Sequence, residues 1–129
     1  MEVLLVDDQA ITVQVYAASV RKTFGGAKVH IAVDLTEALQ IAAGHALDLV
    51  LLDLTLSSSQ GLDTLQRFRA RFPELPVLVV SASEERERID ACLAAGARGY
   101  IAKASAVVGL PDAMKIVTSG GRYVPPQAH

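Results

Sequence analysis

At 129 residues the chain has the length of one domain, enough to bury a core of its own. Hydrophobic residues make up 51% of it and aromatics only 5%, so that core is built from Val, Leu, Ile and Ala, as in layered α/β proteins. A net charge of −2 excludes bulk attraction to nucleic acid or to a membrane surface, and a single cysteine, Cys92, excludes an internal disulfide.

Val3-Leu4-Leu5-Val6 reads as a buried strand that runs into Asp7-Asp8. From Gln9 to about Thr23, Ile11, Val15, Ala18 and Val20 form a helical stripe, stopped by Gly25-Gly26. Lys28 to Val33 is a second strand, nearer the sheet edge. Asp34 is placed as the N-cap of a second helix, with Glu37 three residues on completing a capping box. Leu35, Ala38, Leu39 and Ala42 form the inner face of that helix, and Gly44 ends it.

The third strand runs from Leu47 to Asp53, and its unbroken Leu49-Val50-Leu51-Leu52 implies cover on both faces. It ends in a carboxylate, which has to open onto a solvent-accessible crevice because burying it unpaired is costly. Ser57-Ser58-Ser59-Gln60-Gly61 is a hydroxyl-rich loop, followed by a third helix with Leu62, Leu65, Phe68 and Phe72 on one side. Pro73 and Pro76 bracket a tight connection into the buried strand Val77-Leu78-Val79-Val80, which ends in Ser81.

A fourth helix opens with Glu84-Glu85, acids that favour the positive end of the helix dipole, and closes at Gly96. Its inner face is Ile89, Cys92 and Leu93. Arg98 to Ala102 is a fifth strand, ending in Lys103. The fifth helix takes Pro111 in its first turn, places Leu110, Met114 and Val117 on one face, and is capped by Gly120-Gly121.

Five strands alternating with five helices imply right-handed crossovers and a parallel sheet with helices on both faces. In such a sheet the strand C-termini converge on one edge. They would deliver Asp7-Asp8, Asp53, Ser81 and Lys103 there, and the second strand nothing, as the order 2-1-3-4-5 requires. The switch point of that order, where ligands bind, falls between strands one and three, among the acids. Three carboxylates in one crevice repel unless a cation neutralises them. With oxygen ligands alone, the cation is hard: Mg²⁺ or Mn²⁺. A lysine and a hydroxyl facing it suit an anion with several oxygens, such as a phosphoryl group.

Together, Asp7-Asp8, Asp53, Ser81 and Lys103, with Tyr100 three residues before the lysine, resemble the signature of a two-component response-regulator receiver domain. The similarity covers about residues 2–121. The stretch from Gly99 to Ser105, with Gly120 to Pro126, is similar to the NarL/FixJ (LuxR-type) subgroup, whose receiver precedes a helix-turn-helix. The resemblance implies a flavodoxin-like (βα)5 three-layer sandwich. It divides the chain into a receiver over 1–121 and, over 122–129, the start of a linker to a DNA-binding domain absent from this sequence.

The roles it implies are specific. Asp53 would accept a phosphoryl group from a phosphohistidine on a sensor histidine kinase. Asp8, the Asp53 carboxylate and the backbone carbonyl of Thr55 would hold Mg²⁺, with Asp7 assisting through water. Lys103 would pair with one phosphoryl oxygen and Ser81 would hydrogen-bond another. In the switched state Ser81 moves toward the phosphoryl group and Tyr100 turns inward, and the face made by helix four, strand five and helix five changes. The expected output is a transcriptional response, with homodimerisation on phosphorylation and DNA reached only through the absent domain. The domain would assist its own phosphoryl transfer and dephosphorylation and be no enzyme toward other substrates. Two positions depart from the family pattern: Ser57 and Ala104 stand where proline is common, so the isomer of the Lys103–Ala104 bond stays open.

The remaining residues fit blander roles. Cys92 sits on an apolar helical face and reads as a packed thiol; Arg67, Arg69 and Arg71 read as a solvated face. His30, His45 and His129 are scattered and show no ligand spacing. A haloacid-dehalogenase-type phosphatase would separate its two first-strand acids by two residues, against the adjacent Asp7-Asp8. A stand-alone receiver is an alternative, as is a receiver-like interaction module that is never phosphorylated, the latter disfavoured because every chemical position is filled. No apolar run approaches the ~20 residues that span a bilayer, and the first strand leaves no room for a signal peptide, so a cytoplasmic location is expected.

Overall fold

The computed structural model describes residues 1–54 and 61–125; Thr55 and Ser57-Ser58-Ser59 lie outside the described residues. Among these, five strands alternate with five helices: β1 (Glu2–Val6), α1 (Ala10–Thr23), β2 (Lys28–Ala32), α2 (Leu35–Gly44), β3 (Leu49–Asp53), α3 (Gly61–Arg71), β4 (Val77–Ser81), α4 (Arg86–Ala94), β5 (Gly99–Ala102) and α5 (Lys103–Thr118). The strands are all parallel and lie in the order β2-β1-β3-β4-β5. This is the (βα)5 sandwich expected from the alternation of apolar runs and glycine-terminated helices.

The period-two geometry of the strands sorts the core into two layers. Leu4, Val6, Val50, Leu52, Val77 and Val79 pack with α2, α3 and α4. Val3, Leu5, Leu49, Leu51, Leu78 and Val80 face the other way, against α1 and α5. The three central strands β1, β3 and β4 are buried along nearly their whole length, which is why they read as unbroken Val and Leu. β2 is an edge strand and only half buried.

Local signals behave as their chemistry dictates. The Asp34 carboxylate accepts the Glu37 N–H at 2.8 Å and caps α2. α4 closes with the Ala97 N–H donating to the Cys92 carbonyl and the Gly96 N–H to that of Leu93, with Gly96 left-handed at φ 103°. That is the Schellman pattern, and it needs a residue tolerant of positive φ at Gly96.

Three expectations are corrected. In α1 the buried face is Val13, Tyr16, Ala17 and Val20; Ile11, Val15 and Ala18 point outward, Ile11 with 80% of its surface exposed. The buried set follows the i, i+3, i+4, i+7 spacing of one helix face, which the expected set does not. α4 begins at Arg86, with Glu85 as N-cap, rather than at Glu84. α5 begins at Lys103, directly after β5, so Pro111 lies inside it rather than in its first turn. The helix-favouring Ala104 and Ala106 carry it across those extra turns. The proline removes one helical N–H facing the Val107 carbonyl, in a turn whose Val107 and Val108 are exposed and open to water. There are no cis peptide bonds among the described residues, so Lys103–Ala104 is trans.

Beyond α5 the backbone returns to the sheet. The Tyr123 N–H donates to the Arg98 carbonyl, the Tyr100 N–H donates to the Tyr123 carbonyl, and Tyr123 packs on the α1/α5 core.

Candidate functional site

Strand register determines which side chains meet at the carboxyl edge. Val6 pairs with Leu52, so the next residues, Asp7 and Asp53, stand level on neighbouring strands and project to one face. Val80 pairs with Asp53 and Ala102 with Ser81, so Ser81 and Lys103 each follow one step further across the sheet. The apolar strands make this edge rigid; the polar residue that ends each of them is set by the backbone and needs no loop to hold it.

One carboxylate oxygen from each of Asp7, Asp8 and Asp53 lies within 4.8 Å of the others. Asp7 and Asp53 are buried, whereas Asp8 is exposed and opens the cluster to solvent. The Lys103 Nζ lies 3.2 Å from Asp53 Oδ2, closing the pocket from the α5 side. Asp7 accepts the Gln9 N–H at 2.9 Å through Oδ1, while its Oδ2 is buried with no hydrogen-bond partner. Burial pushes the Asp7 carboxyl above its usual range, and the neighbouring charge of Asp53 pushes in the same direction. A cation among these acids would relieve both effects. The donors are hard oxygens, and the buried Asp7 Oδ2 is an unsatisfied acceptor, so the residues fit Mg²⁺ or Mn²⁺.

Ser81 is buried at the end of β4, where its Oγ accepts the Ser83 N–H at 3.2 Å. Tyr100 is fully buried, and its hydroxyl donates to the Ser83 carbonyl at 2.7 Å. Its ring therefore lies inward, tied to the loop between β4 and α4. Burial raises the Tyr100 phenol above its ordinary value. Thr55, the expected carbonyl ligand, lies outside the described residues. Asp7, Asp8, Asp53 and Lys103 are thus together at one place, with Ser81 and Tyr100 on the adjoining β4–β5 side.

Two features were not anticipated. Tyr16, buried on α1, lines a recess of about 10 Å³ beneath Asp7 and Asp53, and burial together with their charges raises its phenol. Its place in the Val13, Tyr16, Ala17, Val20 stripe is the signal that would have found it. The second is a correction: His30 and His45 are not scattered. Their ring centroids lie 4.2 Å apart, and both approach Glu2 Oε1. The two histidines lie fifteen positions apart in the chain, so no local spacing reveals their contact.

Comparison with known proteins agrees with this geometry. The family profile of the response regulator receiver domain matches residues 3–115. The glycerol metabolism activator of Pseudomonas putida is 32% identical over 126 residues, covering 97% of this chain and 57% of that protein. The transcriptional activator protein ExaE of Pseudomonas putida is 34% identical over 124 residues, with 96% and 58% covered. The chain therefore spans a little over half the length of these relatives. Among solved structures, a LuxR-family two-component response regulator from Aurantimonas sp. SI85-9A1 superposes with a TM-score of 0.89 at 26% identity, covering 98% of this chain and 91% of that one. A LuxR-family DNA-binding response regulator from Silicibacter pomeroyi gives 0.85 at 29%, covering 100% and 99%.

Proposed function

The chain belongs to the response regulator receiver domain family, and we propose that within it Asp53 accepts a phosphoryl group from the phosphohistidine of a sensor histidine kinase. The observation that carries this is the placement of Asp53: buried at the end of β3, level with Asp7, with an ammonium 3.2 Å away. A carboxylate oxygen of Asp53 attacks phosphorus; the new P–O bond forms as the P–N bond breaks, and the imidazole nitrogen keeps the electron pair and takes up a proton. Asp7, Asp8 and Asp53 would hold the cation, with the Thr55 carbonyl completing the set. When bound, Mg²⁺ (or Mn²⁺) supplies charge neutralisation for the acids and the phosphoryl oxygens. Lys103 shifts from Asp53 to a phosphoryl oxygen, and the Ser81 hydroxyl donates to another. The chain's own contribution is positioning and charge, which is what phosphoryl transfer requires. It acts on its own phosphoryl group and on no other substrate.

The output is a population shift. Ser81 and Tyr100 are both tied to Ser83, so drawing Ser81 toward the phosphoryl group repacks the β4–α4 loop and the α4–β5–α5 face. The transcriptional activator ExaE, of which this chain spans 58%, supports a receiver over 1–121 joined through 122–129 to a DNA-binding domain in a longer protein, for which a cytoplasmic location is part of the proposal. Exposed Val15 on α1 and Val107 on α5 support a homodimer formed on phosphorylation. No helix among the described residues is long and apolar enough to cross a membrane.

The test is incubation with acetyl phosphate and Mg²⁺, read by intact mass. A gain of one base-labile phosphoryl group in the wild type and none in Asp53→Asn is expected. No gain in the wild type, or an equal gain in Asp53→Asn, refutes the assignment and leaves a receiver-like interaction module.

A further inference from the structure

We propose that Glu2, His30 and His45 form a second metal site, for a borderline divalent transition cation of the Zn²⁺ class, remote from the aspartates at the opposite end of β1. Glu2 opens β1, His30 lies on β2, and His45 is the residue immediately after α2. His30 pairs in register with Leu4, so it and Glu2 share the sheet face that α2 covers. The crossover then returns the end of α2 over that face and brings His45 down beside them.

The distances fit a common ligand. Glu2 Oε1 lies 2.9 Å from His30 Nε2 and 3.8 Å from His45 Nδ1, and one donor atom from each residue lies within 4.8 Å of the others. Around a tetrahedral Zn²⁺ with bonds of about 2.0–2.1 Å, neighbouring donors stand about 3.3 Å apart. Small side-chain rotations bring the three into that range. Two imidazoles and a carboxylate select Zn²⁺-like cations over Mg²⁺ or Ca²⁺. Such a set leaves a fourth position for water, and the exposed His45 gives the cation a path in.

An ordinary ion pair accounts for less. Glu2 and His30 satisfy each other with one hydrogen bond. They do not explain a second imidazole whose centroid lies 4.2 Å from the first, tilted against it by 42°, with its Nδ1 3.8 Å from the same carboxylate oxygen. Nearby charge favours a cation on balance: the carbonyl end of α2 points at His45, and the Asp48 carboxylate accepts the Glu2 N–H at 2.7 Å, with Lys28 opposing. Bound there, the metal ties the edge strand β2 and the α2–β3 connection to β1.

Zn²⁺ titrated into the untagged chain carrying Asp8→Asn and Asp53→Asn, which disable the acidic site, tests this by calorimetry and by the thermal midpoint. One equivalent should bind and raise the midpoint, because a ligand that binds the folded state alone stabilises it. His45→Asn carries the decisive comparison, since its exposed side chain can be changed without disturbing the core. His45→Asn and Glu2→Gln should each weaken binding at least about tenfold and bleach the visible absorption of Co²⁺ at the site. His129→Ala should bind as the parent does. No saturable binding in the parent, unchanged affinity in His45→Asn, or a loss that follows His129 or Cys92 instead overturns the proposal.

Discussion

Replacing Asp7 by Asn should make the metal-free protein more stable. Asp7 is buried, its Oδ2 has no hydrogen-bond partner, and it stands within 4.8 Å of the Asp53 carboxylate. Two unit charges at that separation repel by about 3.5 kcal/mol at an effective dielectric of about 20. Lys103, 3.2 Å from Asp53, offsets a large part of this. The amide keeps the shape of the carboxylate, can still accept the Gln9 N–H, and removes the charge that repels Asp53. A net gain of about 1–2 kcal/mol follows once the Lys103 offset is allowed for, comparable to the cost of one unsatisfied buried polar atom.

Urea denaturation at pH 7 without divalent cations reads this directly. With a slope of about 2 kcal/mol/M, the Asp7→Asn midpoint should rise by about 0.5–1 M. Adding Mg²⁺ should stabilise the wild type more than the variant and narrow the gap. The pH dependence has a definite sign. Because the folded-state value of Asp7 is raised, its folded form holds a proton more tightly than the unfolded chain does. Its contribution is fully present below the ordinary value of 3.8 and is lost as the pH rises through the raised value. The gap between variant and wild type should therefore close toward acid and open toward neutrality. An Asp7→Asn protein no more stable than wild type at pH 7, or a gap that widens as pH falls, refutes the electrostatic reading of the site.

Lys103→Met leaves the buried Asp53 without its ammonium and should lower stability by about 1–3 kcal/mol, below the roughly 3–5 kcal/mol of a fully buried pair because Lys103 is partly exposed; Mg²⁺ should restore part of the loss in the same urea assay. Tyr100→Phe removes the donor to the Ser83 carbonyl within a fully buried setting and should cost about 1 kcal/mol, and a variant as stable as wild type would mean that this bond contributes nothing. Gly96→Ala forces a side chain onto φ 103° and brings its Cβ to 2.6 Å from Arg69 Nε, so a loss of about 1–2 kcal/mol is expected in thermal unfolding.

The site was legible because its chemistry lies at strand ends. A run such as Leu49-Val50-Leu51-Leu52 announces a doubly covered strand, and parallel topology then dictates where Asp53 must appear. What was misread is what strand ends do not determine. Ile11, Val15 and Ala18 keep helical spacing as Val13, Tyr16, Ala17 and Val20 do, so the facing of α1 is decided by packing against the sheet, and the buried stripe also carries Tyr16 under the acids. Proline favours first turns, so Pro111 points to a helix start there, yet a helix continuous from Lys103 accommodates it. Glu2, His30 and His45 come from three elements, and their meeting depends on strand register and a helix crossover rather than on spacing.

The same parallel sheet treats its two ends in opposite ways. At the carboxyl edge, burial and Asp53 raise Asp7, so that end loses stability as carboxylates ionise. At the start of β1, the hydrogen bond from His30 lowers Glu2 below its ordinary 4.5; its contribution is present above that value and is lost as pH falls through the lowered one. Raising the pH from acid therefore weakens one end while strengthening the other. Like charges at the carboxyl edge persist because the apolar strands β1, β3 and β4 hold them level regardless of their repulsion. That persistent like charge, which Lys103 offsets only in part, is the condition under which a cation or a phosphoryl group, arriving or leaving, changes the energy of the whole edge rather than of a single side chain.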